Sequence, residues 1–286
     1  MKNIKHERDH ILDIIENDLL TVHFQPVCSA NREVFGYEAL SRFKYGTGYQ
    51  SAAKLFEAAI RTETISSLDM YCRENAIREA SNGFMRQENA CLFINICPET
   101  LLSPTHMAGI TDEFADCWDI PKKKIILEIT EETAIRNYSL FNEAVSYYRD
   151  KGYRIALDDF GTGYGGLKML SIIRPDFVKI DSHFIQQIDK DFVSLAVVDA
   201  ITVLCHRLGM KVIAEGIERR DEFIFASGLG IEFFQGYFIG MPAPAPAGSV
   251  KRGFFAERCG LRRSAAPLRG RPGSCRGPRF YTLEGR

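Results

Sequence analysis

The sequence predicts an α/β fold, a closed (β/α)8-like barrel whose first two strands run antiparallel. Three observations carry that prediction. Seven short apolar runs end on a residue that binds metal or handles protons: FGYE (Glu38), LFIN (Asn95), IILE (Glu128), RIALDD (Asp158, Asp159), FVKID (Lys179, Asp181), VIAE (Glu215) and FFQ (Gln235). Most of these runs are separated by helix-length segments, the pattern of buried parallel strands. The first two strand-like segments are instead joined by a turn around Ala30, Asn31 and Arg32, too short for a helical crossover, so they pair antiparallel. In such a barrel the strand ends share one mouth, where the chemistry of these folds is done. Uncompensated acid pooled there is costly, which makes a cation the natural guest.

Taken in order, 6–18 reads as an amphipathic helix with Ile11, Leu12, Ile14 and Ile15 on one side. Segments 20–28 and 33–40 are the antiparallel strands, and helices follow at about 51–61 and 64–81. Strands and helices then alternate: strand 91–96, helix 105–117, strand 124–129, helix 139–150, strand 153–158. The series continues with strand 176–180, helix 190–208, strand 211–215, helix 219–227 and strand 231–235. An alternation of this length needs a parallel sheet, and a barrel closes it most economically. After Gln235-Gly236-Tyr237 the stretch MPAPAPAG ends regular structure. The chain therefore divides into a barrel over 1–247 and an Arg/Gly/Pro-rich tail over 248–286 that buries too little apolar area to fold alone. Residues 250–257 are expected to add one last helix.

The composition excludes several classes. A chain of 286 residues suits one large domain or two small ones, and a single (β/α) barrel of about 250 residues fits well. The net charge of −1 hides an asymmetry: 248–286 carries nine arginines and one lysine against two glutamates, leaving an acidic barrel and a basic tail. We expect a solvated tail that binds no nucleic-acid polymer, because the aromatic residues of RNA-binding surfaces are sparse there. No apolar stretch reaches the roughly 18 residues of a membrane span, and MKNIKHERDH lacks the apolar core of a signal peptide. The eight cysteines form no C-x-x-C pair, which reads as reduced thiols in a cytoplasmic protein and not as a zinc site. His23, His106, His183 and His206 are scattered and read as surface or core residues.

Two segments carry chemistry. In IALDDFGTGYGGL, paired aspartates end a strand and a glycine-rich loop follows, allowing a ligand close to the backbone. A flexible turn would explain the glycines alone, but adjacent carboxylates repel and are poor structural residues. In EITEE, Glu128 and Glu131 stand around a strand end, while Glu131 and Glu132 would also suit the start of a helix. Asp181 would equally serve as a helix cap.

Together, Glu38-Ala39-Leu40, Asn95, Glu128-Ile-Thr-Glu131, Asp158-Asp159-Phe-Gly-Thr-Gly, Lys179-Ile-Asp181, Ala-Glu215-Gly-Ile-Glu218 and Gln235-Gly236-Tyr237 resemble the EAL-domain family of bacterial cyclic di-GMP phosphodiesterases. The match runs in order over about 18–246. The resemblance implies a modified TIM barrel and two divalent cations, Mg²⁺ or Mn²⁺. It implies that Glu38, Asn95, Glu128 and Asp158 hold one cation and that Asp158, Asp159 and Glu215 support the second. Glu215 would be the general base, Lys179 would steady the attacking water or phosphate charge, and Asp159 would complete the catalytic set. Gln25, Leu40 and Arg42 would contact substrate, with Arg42 reaching a phosphate. Asp181, Glu218 and Gln235 would complete the shell around metal and water, and Glu131 would anchor the loop over 158–167. The implied product is linear pGpG, and a homodimer is expected.

The chemistry fits independently. A phosphodiester is anionic and resists neutral water, two cations can activate the nucleophile and steady the leaving oxygen, and an all-oxygen donor set suits hard cations. Three departures from the family pattern stand out: Gly165-Gly166 where serines are common, Cys97 where serine is common, and Phe43 where tryptophan is frequent. They read as adjustments, the glycines implying a looser loop. The rival reading is a catalytically silent barrel that senses the nucleotide or docks a partner, although every expected ligand is retained. A Schiff-base lyase using Lys179 fits poorly, because the surrounding carboxylates would keep the amine protonated.

Overall fold

The computed structural model describes residues 2–31, 33–44, 47–83, 85, 90–102, 109–131, 137–163 and 165–244. Eight strands close into a barrel in sequence order: β1 (Leu20–Ser29), β2 (Val34–Phe43), β3 (Cys91–Asn95), β4 (Ile125–Thr130), β5 (Arg154–Phe160), β6 (Phe177–Ile180), β7 (Lys211–Ala214) and β8 (Phe233–Phe234). β1 is antiparallel to both neighbours, β2 and β8, and every other pair is parallel. The short turn between the first two strands explains this departure from a regular barrel.

The helices are α1 (Lys2–Glu16), α2 (Ala52–Arg61), α3 (Ile65–Asn82), α4 (Pro98–Leu102), α5 (Ile110–Cys117), α6 (Tyr138–Asp150), α7 (Gly166–Ile173), α8 (Ser182–Ile185), α9 (Phe192–Arg207) and α10 (Arg220–Gly228). α1 starts four residues earlier than its apolar periodicity indicates, and packs Ile11 and Ile14 against Leu20, Leu55, Ala58 and Leu68. α7 was not expected. Its cap and first residue are both glycine, and no side chain caps it, so the usual start signal is missing. β2 runs past Leu40 to Phe43 because β1 pairs with it from Leu20 onward. β8 is shorter than 231–235. The tail over 248–286, the helix expected at 250–257, and part of the helix expected at 105–117 lie outside the described residues.

The barrel interior is built in layers. Val27, Cys91, Phe93, Ile126, Ala156, Phe177, Ile213 and Phe233 form a dry floor. Phe35 packs under it, its ring 4.3 Å from that of Phe233, and the Arg154 guanidinium lies 5.6 Å over the Phe35 ring. Side chains two apart on a strand share a face, so the residue two positions above each floor residue also points inward, toward the mouth. Phe93 leads to Asn95, Ile126 to Glu128, Ala156 to Asp158, Phe177 to Lys179, Ile213 to Glu215 and Phe233 to Gln235. β1 runs the opposite way, so its mouth-side residue precedes Val27 in sequence: it is Gln25.

Candidate active site

The upper layer is a ring of polar side chains on the apolar floor. Glu38 Oε1 accepts a hydrogen bond from Asn95 Nδ2 at 3.1 Å, and Glu38 Oε2 accepts one from Gln235 Nε2 at 2.6 Å. Asn95 Nδ2 also reaches Glu128 Oε2 at 3.4 Å. Gln235 Nε2 donates to Gln25 Oε1 at 3.2 Å, and Gln25 Nε2 donates to the Gly240 carbonyl at 3.1 Å.

At the centre stands the fully buried Lys179 ammonium. It lies 2.6 Å from Glu128 Oε1, 2.8 Å from Asp158 Oδ1, 2.8 Å from Glu215 Oε1 and 3.4 Å from Glu38 Oε2. Burial pushes the amine toward neutrality, but Asp158, Glu128, Glu215 and Glu38 more than offset it and hold its pKa well above the usual lysine range. One ammonium does not satisfy four carboxylates. Burial, then the charge of Glu38, raises the Glu128 carboxyl well above its usual range, with Lys179 only partly opposing. Burial, then Asp158, does the same to Glu215. Burial also raises Asp158. Glu38 alone of the four is lowered: burial works against it, but Lys179 and the hydrogen bonds from Gln235 and Asn95 prevail.

Two consecutive aspartates would normally point to opposite faces of a strand. Here the β5–β6 register shifts between Leu157 and Phe160, and Asp159 takes a left-handed backbone with φ 52°. This bulge re-aims the second carboxylate. Two acidic clusters result, Glu38–Glu128–Asp158 and Asp158–Asp159–Glu215, each offering oxygens within 4.8 Å of one another. Asp158 belongs to both.

Divalent cations fit this set. The donors are oxygens, as hard cations require. Glu128 Oε1 and Asp158 Oδ1 are buried without an aligned hydrogen-bond donor, although the Lys179 ammonium stands 2.6 and 2.8 Å away.

The loops around the ring are tied by carboxylates. Glu131, buried at the end of β4, accepts from the Gly161 N–H at 2.7 Å and from the Gly166 N–H at 2.6 Å. A Cβ at position 166 would stand 2.7 Å from Glu131 Oε1, so glycine there lets the carboxylate hold the loop closely. The sequence had suggested looseness from the same residue. Glu222 accepts from the backbone N–H groups of Gln187, Glu218 and Arg219 at 2.9, 3.0 and 2.9 Å, joining the loops after β6 and β7. Sequence reasoning missed it, because its only signal is the capping-box spacing from Arg219.

Of the expected site residues, Gln25, Glu38, Asn95, Glu128, Asp158, Asp159, Lys179, Glu215 and Gln235 come together. Others stand around this centre. Asp181 caps α8 through the His183 N–H at 2.8 Å, and Glu218 Oε1 accepts from Gln186 Nε2 at 3.4 Å. Leu40 and Arg42 share the strand face of Glu38, further along β2, and Arg42 donates to the Ser41 carbonyl at 2.9 Å.

These features define a (β/α)8-type barrel with one inverted strand and an acidic mouth fitted to cations. The chain belongs to the EAL-domain family, whose model matches residues 8–242. It is 30% identical over 234 residues to the cyclic di-GMP phosphodiesterase PdeR of Escherichia coli, covering 82% of this chain and 35% of that protein. It is 29% identical over 237 residues to the cyclic di-GMP phosphodiesterase PdeB of Shewanella oneidensis, covering 82% of this chain and 28% of that protein. The chain thus spans about a third of the length of the curated relatives it matches. Among solved structures it resembles the EAL enzyme Bd1971 bound to cAMP and cyclic di-GMP, with TM-score 0.77, 26% identity, and coverage of 85% of this chain and 67% of that one. It also resembles Klebsiella pneumoniae BlrP1 with manganese and cyclic di-GMP, with TM-score 0.70, 27% identity, and coverage of 79% and 56%.

Proposed function

We propose that this chain is a metal-dependent phosphodiesterase that hydrolyses cyclic di-GMP to linear pGpG. The observation that carries the reading is the pair of acidic clusters sharing Asp158 around a buried ammonium. With Asp159, five carboxylates face one lysine, an excess of four negative charges that two divalent cations would cancel. Glu38, Asn95, Glu128 and Asp158 would hold one cation, and Asp158 and Asp159 the other, with Glu215 supporting it through water and Mg²⁺ or Mn²⁺ the natural occupants of an all-oxygen set. When bound, such ions supply Lewis-acid stabilisation of phosphoryl charge and a more acidic nucleophilic water.

The chain's own groups do the rest. Glu215, whose burial favours the protonated form, takes the proton of the attacking water. The water oxygen bonds to phosphorus, the bridging bond to the 3′ oxygen breaks, and that departing oxygen is protonated from solvent, to which Glu215 returns the proton it took, leaving a 5′-phosphate. Lys179 remains cationic and offsets the charge that builds on the phosphoryl oxygens. Arg42, two positions beyond Leu40 on the face of Glu38, meets a substrate phosphate, while Gln25 and Leu40 line its approach. Glu131 holds the loop over 158–167, and Asp181, Glu218 and Gln235 order the surroundings. A homodimer and a cytoplasmic setting complete the reading; the six free thiols among the described residues suit a reducing compartment.

The test is chromatography of cyclic di-GMP incubated with the purified chain and Mg²⁺ or Mn²⁺, with and without EDTA. Metal-dependent pGpG is the expected product. Intact nucleotide under every condition would refute the enzyme and leave a sensor or docking module.

A further inference from the structure

Asn95 ends β3 at the mouth, and the chain must turn sharply beyond it. One side of that turn is held by the sheet, where the Ile96 N–H donates to the Glu128 carbonyl at 2.9 Å. The other side is held by a helix outside the barrel: the Cys97 N–H donates to Asp69 Oδ1 of α3 at 3.1 Å. The Cys97 carbonyl then receives the Thr100 and Leu101 N–H groups and starts α4.

Asp69 is a costly way to supply one acceptor. It is 2% exposed, and its counter-ion Arg73, one turn along α3, is 0% exposed. Arg73 Nη2 lies 2.9 Å from Asp69 Oδ2, and Nη1 donates to Thr111 and to Tyr148. The pairing is imperfect. Asp69 Oδ2 and Arg73 Nη2 lack an aligned hydrogen bond, and Arg73 Nε has no partner. A buried ion pair with donors left over contributes little to stability compared with well-packed apolar residues of the same size. What it does provide is a fixed oxygen under the turn that carries Asn95.

We propose that Asp69, with Arg73 as its buried counter-ion, is a positioning residue that fixes Asn95 for the divalent cation. The inference rests on the metal-dependent reading above. Partners one shell outside a metal ligand typically change affinity by about 10–100-fold when removed.

Two double variants separate positioning from general stability. D69N/R73M and D69L/R73M both remove the ion pair, but only the asparagine leaves an acceptor for the Cys97 N–H. Isothermal titration of the full chain with Mn²⁺ should give a dissociation constant about tenfold weaker for D69L/R73M than for D69N/R73M, with both melting within a few degrees of each other. Equal Mn²⁺ affinities would overturn the proposal, whatever the melting temperatures. If D69L/R73M does not fold, D69A/R73M makes the same comparison without the added bulk. An unsubstituted chain that binds no Mn²⁺ would refute the metal reading itself, and this inference with it.

Discussion

Replacing Lys179 by methionine isolates the charge at the centre of the ring, because methionine keeps an unbranched chain of similar length. The ammonium is fully buried and lies within 2.8 Å of Glu128, Asp158 and Glu215 and 3.4 Å from Glu38. At an effective dielectric of ~20, a contact of ~3 Å carries roughly 5–6 kcal/mol of gross attraction, most of it offset by desolvation. Removing one member of a buried pair costs about 3–5 kcal/mol. Protonation of Glu128 and Glu215, whose carboxyls are raised by burial, limits the loss to that order. In a chain of this size each kcal/mol moves the melting temperature by about 2–4 °C. In EDTA at pH 7, Lys179→Met should therefore melt about 10 °C below the parent. Saturating Mn²⁺ should close part of the gap, because ligands of the folded state stabilise by mass action. Circular-dichroism melts of both proteins, with EDTA and with Mn²⁺, make the comparison. A metal-free variant within about 2 °C of the parent would refute the reasoning, since the carboxylates would then not depend on the ammonium.

Three further outcomes are expected. Glu215→Gln should abolish turnover. Burial and Asp158 raise the folded-state carboxyl of Glu215, so its contribution to stability is complete below the unfolded value of about 4.3 and is lost as pH rises through the folded value. The neutral glutamine should thus match the parent at low pH and become the more stable protein in EDTA as pH rises; a gap that narrows with pH in melting curves would contradict this. Glu131→Ala leaves the Gly161 and Gly166 N–H groups without their acceptor, at about 1–3 kcal/mol for each that stays buried, and should speed proteolytic cleavage within 161–166; an unchanged cleavage rate would count against the clamp. Phe93→Ala, in the dry floor, should cost about 3–5 kcal/mol in denaturant unfolding, and a loss under ~1 kcal/mol would mean the floor repacks freely.

Much of the barrel was legible in sequence because two signals coincide at each parallel strand. The apolar run marks burial, and the polar residue that ends it marks the mouth, as at Phe93 with Asn95 and Phe177 with Lys179. Where the backbone departs from the regular alternation, the signal fails. Asp159 reaches the ring only through a bulge with a left-handed residue, and no spacing announces that. Gln25 stands before its floor residue because its strand is inverted, so the pattern of a run followed by a ligand misses it. α7 begins on glycines and shows no cap. The contact between Asp69 and Cys97 joins residues 28 apart, and on α3 the spacing of Asp69 and Arg73 reads as an ordinary solvent-facing pair.

The inverted first strand also decides where the chain enters and leaves the barrel. Leu20 pairs with Phe43 at the far end of β2, so the chain enters at the rim of the mouth and not beneath the floor. After β8 it stays there, with Ala243 bridged to Phe24. Entrance and exit thus share the face on which the acid ring opens. A partner touching the chain where it enters β1 or leaves β8 would stand at the doorway of the chemistry, and its signal would reach the ring without having to cross the barrel.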